Sequence, residues 1–473
     1  MNAKGWAFLS MCGILGAPLA CGDDGGASTS EPAELSVPDT FTFESRFELG
    51  ASSVRYTGQT FRHTLIVELD RYVRSLTADI DGGFVPASGD IEDALAFYLE
   101  FDPTEGADVP LTFPEATLQQ TFGDLESSAT LLEKIAGQDP EGQHEDWTTG
   151  FIGWGETGAT TPLQLVRDWF TELDALAVAR ANLDVVQRPN GGPVDSVFVT
   201  ADGRDLAQLL QKFLTGAIAY SQGADDYLDN DTEGKGLLSP NEQSGDAPYS
   251  VLEHQWDEGF GYFGASRSYL LQTDEERTGS EQIDSNGDGA IDLSSEFNFG
   301  HSTNAAKRDL GANVPTDFTD DAMTALLEGR AILAASNGEL SEDEMSRLLD
   351  ARDRVLSAWE NAIASTVVHY INDVLADMNR FGTDDYDFED HAKHWSEMKG
   401  FALTLQFSRF AAVTDVELET IHEIMGTAPV LPTADDSTVE AYRQGLLDAR
   451  QIIGDAYGFA EANLGDENGE GGW

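Results

Sequence analysis

The sequence predicts an all-α protein built as two packed helix bundles that meet near residue 240, with long loops between the helices. Three observations carry this. Past residue 40, apolar residues recur at helical rather than alternating spacing, as at Leu65, Ile66, Leu69, Tyr72 and Val73. Strand signals are scarce, and 194–200 is the best of them. No unit repeats at a short fixed period, which sets a solenoid aside. The chain has 473 residues, of which 41% are apolar, so it can bury a sizeable core.

The elements follow in order. Lys4 and the apolar run 6–20 read as a secretion signal over residues 1–20. Pro18-Leu19-Ala20-Cys21 resembles a lipobox, which makes Cys21 the expected lipidation site and new N-terminus. Residues 21–40, rich at first in Gly, Asp, Ser and Ala, are expected to be a flexible lipoprotein tether. The helical domain is expected over 41–464, with helices at 59–76, 91–100, 125–136, 162–181 and 204–227. The second half adds 249–263, 321–335, 342–380, 390–408, 416–425 and 439–464. Pro162 suits the first turn of its helix, and 342–380 would span about 58 Å if unbroken. The polar tail 465–473 is expected to be disordered.

Charge and cysteine content narrow the function classes. Asp and Glu number 85 against 27 Lys and Arg, a formal net charge of −58. Such a surface repels phosphate backbones and excludes nucleic acid as a partner. Cys12 and Cys21 are the only cysteines, so the folded part has no disulfide, no thiolate metal site and no thiol nucleophile. No stretch after the leader reaches the ~18–20 apolar residues of a membrane helix. The expected location is the cell envelope, as an outer-membrane lipoprotein held by its N-terminal lipid alone, because Gly22 rather than Asp follows the Cys.

The sharpest local motif is Asp284-Ser285-Asn286-Gly287-Asp288-Gly289-Ala290-Ile291-Asp292. Hard cations need several oxygens converging from one tight turn. Asp284, Asn286 and Asp288 supply side chains at the first, third and fifth places. Gly289 permits the bend, Ala290 offers its carbonyl, and Asp292 binds directly or through water. The loop resembles an EF-hand, but Ser295 stands at the twelfth place and the acid arrives one residue late, as Glu296. Calcium is the expected ion, in a structural role.

A transition-metal site is the second expectation. Helix 249–263 carries His254 with Asp257 and Glu258 at i+3 and i+4. His394 and Glu397 stand three residues apart, and His369 has Asp373 one turn away. Bundle interiors gather such groups from facing helices, so His254, Glu258, His369, His394 and Glu397 are the expected ligands for iron or zinc. The plainer alternative is that each histidine pairs with a neighbouring carboxylate.

Other signatures are missing. There is no zinc-protease His-Glu-x-x-His, no Gly-x-Ser-x-Gly elbow and no phosphate-binding Gly-x-x-x-x-Gly-Lys run. Gly-x-Gly-x-x-Gly occurs at 153–158 and 259–264 but follows no convincing strand, and 47 glycines make it a chance pattern. No catalytic residues are assigned.

Several long phrases resemble one family. They are Val54-Arg55-Tyr56-Thr57-Gly58-Gln59-Thr60-Phe61-Arg62, Glu253-His254-Gln255-Trp256-Asp257-Glu258, Ser295-Glu296-Phe297-Asn298-Phe299-Gly300-His301, Asn304-Ala305-Ala306-Lys307-Arg308-Asp309 and His394-Trp395-Ser396-Glu397-Met398-Lys399-Gly400-Phe401. Together they resemble the bacterial domain of unknown function 4856, over about 41–464. That family is distantly similar to imelysin-like proteins, helical two-bundle envelope proteins associated with iron uptake. Their Gly-x-His-x-x-Glu motif has its nearest match at His254, where Gly is absent before the His and the acid is Asp257. The resemblance implies an envelope-anchored, non-enzymatic binding protein serving metal acquisition, with an outer-membrane transport protein as partner. The alternatives are an imelysin-like metal-dependent hydrolase and a structural, calcium-stabilised lipoprotein.

Overall fold

The computed structural model describes residues 35–139, 141–189 and 191–473, of which Ser36–Trp473 form one compact unit. The leader, Cys21 and most of the tether lie outside the described residues. Among the described residues the regular structure is helical, with isolated bridges such as Val199 with Asp205 in place of strands. In chain order the α-helices are α1 Thr57–Asp81, α2 Asp90–Leu99, α3 Pro103–Gly106, α4 Pro162–Ala181, α5 Leu206–Leu214, α6 Val251–Phe263 and α7 Asp274–Arg277. They continue as α8 Gly300–Gly311, α9 Phe318–Ala335, α10 Glu342–Met378, α11 Phe388–Thr404, α12 Asp415–Met425, α13 Asp436–Tyr457 and α14 Glu461–Leu464.

Local chemistry sets these boundaries. Ser341 and Glu344 form a reciprocal capping box that opens α10, and Ser250 with Glu253 does the same for α6. Thr161 caps α4 and Pro162 occupies its first position, where a missing N–H costs nothing. α10 is the mast of the fold. At ~1.5 Å per residue its 37 residues run about 56 Å, and it packs against α8, α9, α11 and α13. Val355, Trp359, Ile363, Val367, Ile371 and Leu375 are fully buried along it, so it behaves as an interior rather than a surface helix. One apolar core runs through the unit, in which α1 touches α5 and α6 while α5 packs on α11.

Five expectations change. Residues 125–136 form 3-10 turns rather than a helix, because Glu126 turns left-handed at φ +50° and the Ser127 and Thr130 hydroxyls accept local N–H groups. The helix expected over 204–227 changes pitch: after α5, Thr215–Tyr220 and Gly223–Tyr227 are π-helical. This stretch delivers Asp225 to Arg409 and His144, at 3.1 and 2.7 Å, and Asp226 to Lys235 at 2.9 Å. The helix expected over 439–464 ends at Tyr457, where Gly458 adopts φ +65° as a left-handed cap. α8 was not anticipated; its buried face is His301, Ser302, Ala305, Ala306 and Arg308, which has no apolar period. Finally, the tail 465–473 is ordered rather than free. Trp473 is buried, its indole N–H donates to the Arg308 carbonyl at 2.9 Å, and its ring meets Phe459 edge-on. One large aromatic anchor outweighs the polar residues before it.

Candidate functional site

α10 and α11 run side by side, and their facing edges carry three of the five expected metal ligands. His394 Nδ1 lies 2.7 Å from Asp377 Oδ2. Burial works against the His394 charge, but the Asp377 hydrogen bond outweighs it and lifts the pKa. His369 Nε2 lies 3.4 Å from Asp373, yet burial and the nearby Arg308 push its pKa down to about 3. Glu397 accepts from the Tyr370 hydroxyl at 2.9 Å and lies 3.6 Å from Lys212 Nζ on α5.

His254 and Glu258 do not join them. The His254 Nδ1–H donates to the Arg55 carbonyl at 3.0 Å, and the ring stacks on Tyr249. Glu258 accepts from Gln59 at 2.9 Å and stands 3.8 Å from His254. The intervening acids belong to a buried knot: Arg330, with no exposed surface, binds Glu253 at 3.0 Å and Asp257 at 2.8 Å, and donates to Ser53. Burial raises the Asp257 carboxyl to about 6 in spite of Arg330. Among the described residues no three His, Cys, Asp or Glu side chains converge to hold a metal ion. The five side chains expected to form one cage therefore stand in two places, His254 and Glu258 at one and His369, His394 and Glu397 at the other.

Beside the α10–α11 edge lies a chamber of ≈ 130 Å³, walled by Gln211 and Lys212 of α5, Thr215 of the π-helical stretch, Gly300, Thr303, Asn304 and Lys307 of α8, and Phe401 of α11. The α8 contributors recur at i, i+3, i+4 and i+7, one face of the helix. The adjoining face turns His301 and Arg308 inward, both buried. On the buried faces of α8, α10 and α11, outside the chamber lining, several polar atoms lack a hydrogen-bond partner: Arg308 Nε and Nη1, Glu397 Oε2, His369 Nδ1 and both ring nitrogens of His301. Burial pushes Arg308 down to about 10 and His301 to about 3. Lys307 is lowered by burial and then by the like charges of Lys212 and Arg308.

The loop expected to take calcium is closed by its own backbone. Asp284 accepts from the N–H groups of Gly287 and Gly289 at 2.6 and 2.8 Å, and these contacts hold its carboxyl below the usual range. Asn286 and Asp288 accept from Asp288 and Ala290. Glu296 is buried and ties the loop shut, accepting from Ser285 and Asn286 on one oxygen and from Asp292 on the other. Asp292 accepts from Gln119 and Ser294, which pins the loop to the 117–119 segment.

Sequence reasoning missed two groups of residues. Lys212 belongs to no motif, and Lys307 and Arg308 stand only within a quoted phrase; their signal is scarcity, since basic residues are few in this chain. Lys399 was quoted only within a phrase, and His422 was set aside. Lys399 is fully buried, has His422 Nδ1 at 3.0 Å as its hydrogen-bond partner, and is pushed by burial down to about 7. The Gly153–Gly158 loop roofs His422: Gly153 sits at φ +103°, where a Cβ would fall 2.7 Å from the imidazole. That explains this glycine without a nucleotide.

Residues 167–280 match the model of the family described as Domain of unknown function (DUF4856), which the quoted phrases resemble. The matched segment runs from within α4 through the π-helical stretch and α6 to just beyond α7. No curated protein and no solved structure matches the chain. The likeness to imelysin-like proteins rests on the quoted residues alone.

Proposed function

We propose that this chain is an envelope-anchored binding protein that holds a small polar solute in the chamber between α5, α8 and α11. The observation that carries the reading is the polar lining of that chamber, where Gln211, Lys212, Thr215, Thr303, Asn304 and Lys307, from three separate elements, border one cavity. Ligand sites place a few polar groups from different elements around one concavity. Such convergence favours an occupant over a purely structural role. The lipobox-like Cys21 supports anchoring, and an outer-membrane transport protein remains the proposed recipient of the solute. Metal acquisition receives less support, because the expected donors stand apart.

The test is a thermal-shift panel of anionic, cationic and neutral small solutes on the full chain. At about 100-fold excess over Kd, a bound solute adds ~2.7 kcal/mol, a rise of several degrees. Thr303→Trp, which fills the chamber, should abolish that rise. A response that survives Thr303→Trp would move the site elsewhere.

Calcium in the 284–292 loop is a second, separate reading. It is supported by the turn itself, in which the first-place Asp284 already reaches across to the sixth-place Gly289.

A further inference from the structure

We propose that the solute taken by this chamber is a small oxyanion, of the phosphate or carboxylate class, gripped by Lys212, Lys307 and the N-terminal turn of α8. The inference rests on the binding reading above and names its ligand class.

Three independent features agree on the sign of the charge. Lys212 and Lys307 both line the chamber. Among the described residues, Lys212 alone of the pair has a carboxylate in ion-pair range, Glu397 at 3.6 Å. Arg308, next to Lys307 in α8, is buried on the adjoining face and adds a further cation, with two guanidinium nitrogens that have no acceptor. Cations crowded this way repel one another, and an anion between them relieves that repulsion. The third feature is the start of α8. Gly300 lines the chamber, Phe299 before it supplies no side-chain cap, and the first turn holds no acidic residue. A helix N-terminus left so presents free N–H groups and the positive end of its dipole, the usual grip on an oxyanion.

Size and global charge are compatible with this. A chamber of ≈ 130 Å³ matches about four waters at ~30 Å³ each, the scale of a phosphate or a short carboxylate. The net charge of −58 opposes an incoming anion at long range, but charges more than ~8–10 Å away are largely screened at physiological salt. Within that distance stand the two lysines and the helix end, with Glu397, at 3.6 Å from Lys212, as the opposing charge.

The experiment is isothermal titration of the full chain with inorganic phosphate and, separately, with citrate, at pH 7.5 and low salt. At least one should bind. Lys307→Gln, which keeps most of the side-chain length and removes the charge, should weaken binding about tenfold, the ordinary scale for losing one charge-assisted contact. Lys212→Gln should do the same, and added sodium chloride should weaken the wild type further. Unchanged affinity in both lysine variants would overturn the assignment. If neither anion binds while a neutral or cationic solute does, and Thr303→Trp blocks it, the oxyanion class fails and the binding reading stands. If nothing binds, both fall.

Discussion

Lys399 offers a perturbation whose size can be worked out in advance. Its ammonium group is fully buried on α11 with His422 as its hydrogen-bond partner, and burial holds its pKa at about 7 against an ordinary 10.5. In the unfolded chain the amine keeps its proton up to about pH 10.5; in the folded chain it gives the proton up near 7. Between those values the unfolded state binds more protons, so stability rises with pH there at ~1.4 kcal/mol per pH unit. Below pH 7 both states are protonated and the full burden of burying the charge, ~5 kcal/mol, is present. From pH 7 to 9 the wild type should therefore gain ~2 kcal/mol from this residue alone. Lys399→Met keeps the unbranched length and removes the charge. It should be more stable than wild type at pH 7, by ~2–4 kcal/mol after the lost hydrogen bond is subtracted, and this advantage should shrink by ~2 kcal/mol at pH 9. Urea denaturation of both proteins at pH 7, 8 and 9 reads the difference, in which the other titrating groups cancel. An advantage that stays constant across that range would refute the reasoning, since a solvated lysine, protonated alike in the folded and unfolded chain, gives no such slope.

Three further outcomes are expected. Arg330→Met strands Glu253 and Asp257 without their buried partner and should cost ~3–5 kcal/mol in urea denaturation; a loss under 1 kcal/mol would mean that the knot is not energetically central. Asp284→Ala removes the acceptor for Gly287 and Gly289 and should lower the melting temperature even in chelator. Calcium should raise the wild-type melting temperature and leave the variant's unchanged, and an equal calcium response in both would retire the ion from this loop. Cys21→Ser should release the protein from membranes on cell fractionation; retention would show that the lipobox-like sequence is not what anchors it.

Much of the fold was legible because long helices announce themselves. α4 begins at Pro162 and ends at Ala181 as its period and first-turn proline require, and α10 departs from expectation only by two residues at its end. What could not be read was set by tertiary context. α8 hides because its buried face is made of Ala, Ser, His and Arg, whose burial depends on α10 and α11 lying against it. Trp473 ends a stretch that looks solvated, and its indole N–H finds the Arg308 carbonyl, 165 positions away. At the site, His369, His394 and Glu397 fall on the right pair of helices, because a three- and four-residue spacing fixes which side chains share a face. Their partners were out of reach: nothing in the spacing of His394 says that Asp377 sits 2.7 Å away on another helix. The chamber's lysines were invisible for the same reason, since Lys212 and Lys307 are 95 residues apart in the chain and adjacent only in space.

The widened π-helical turns between Thr215 and Tyr227 make chain length itself a specification. Hydrogen bonds that reach five residues back absorb extra backbone that α-helical pairing would not. Because each residue of an α-helix advances about 100° around the axis, ordinary pairing of the same number of residues would swing everything downstream. Asp225 and Asp226 would then turn away from Arg409 and Lys235, while Thr215 stayed where it is. Removing the extra residue together with the wide turn would instead return the downstream chain to its present register.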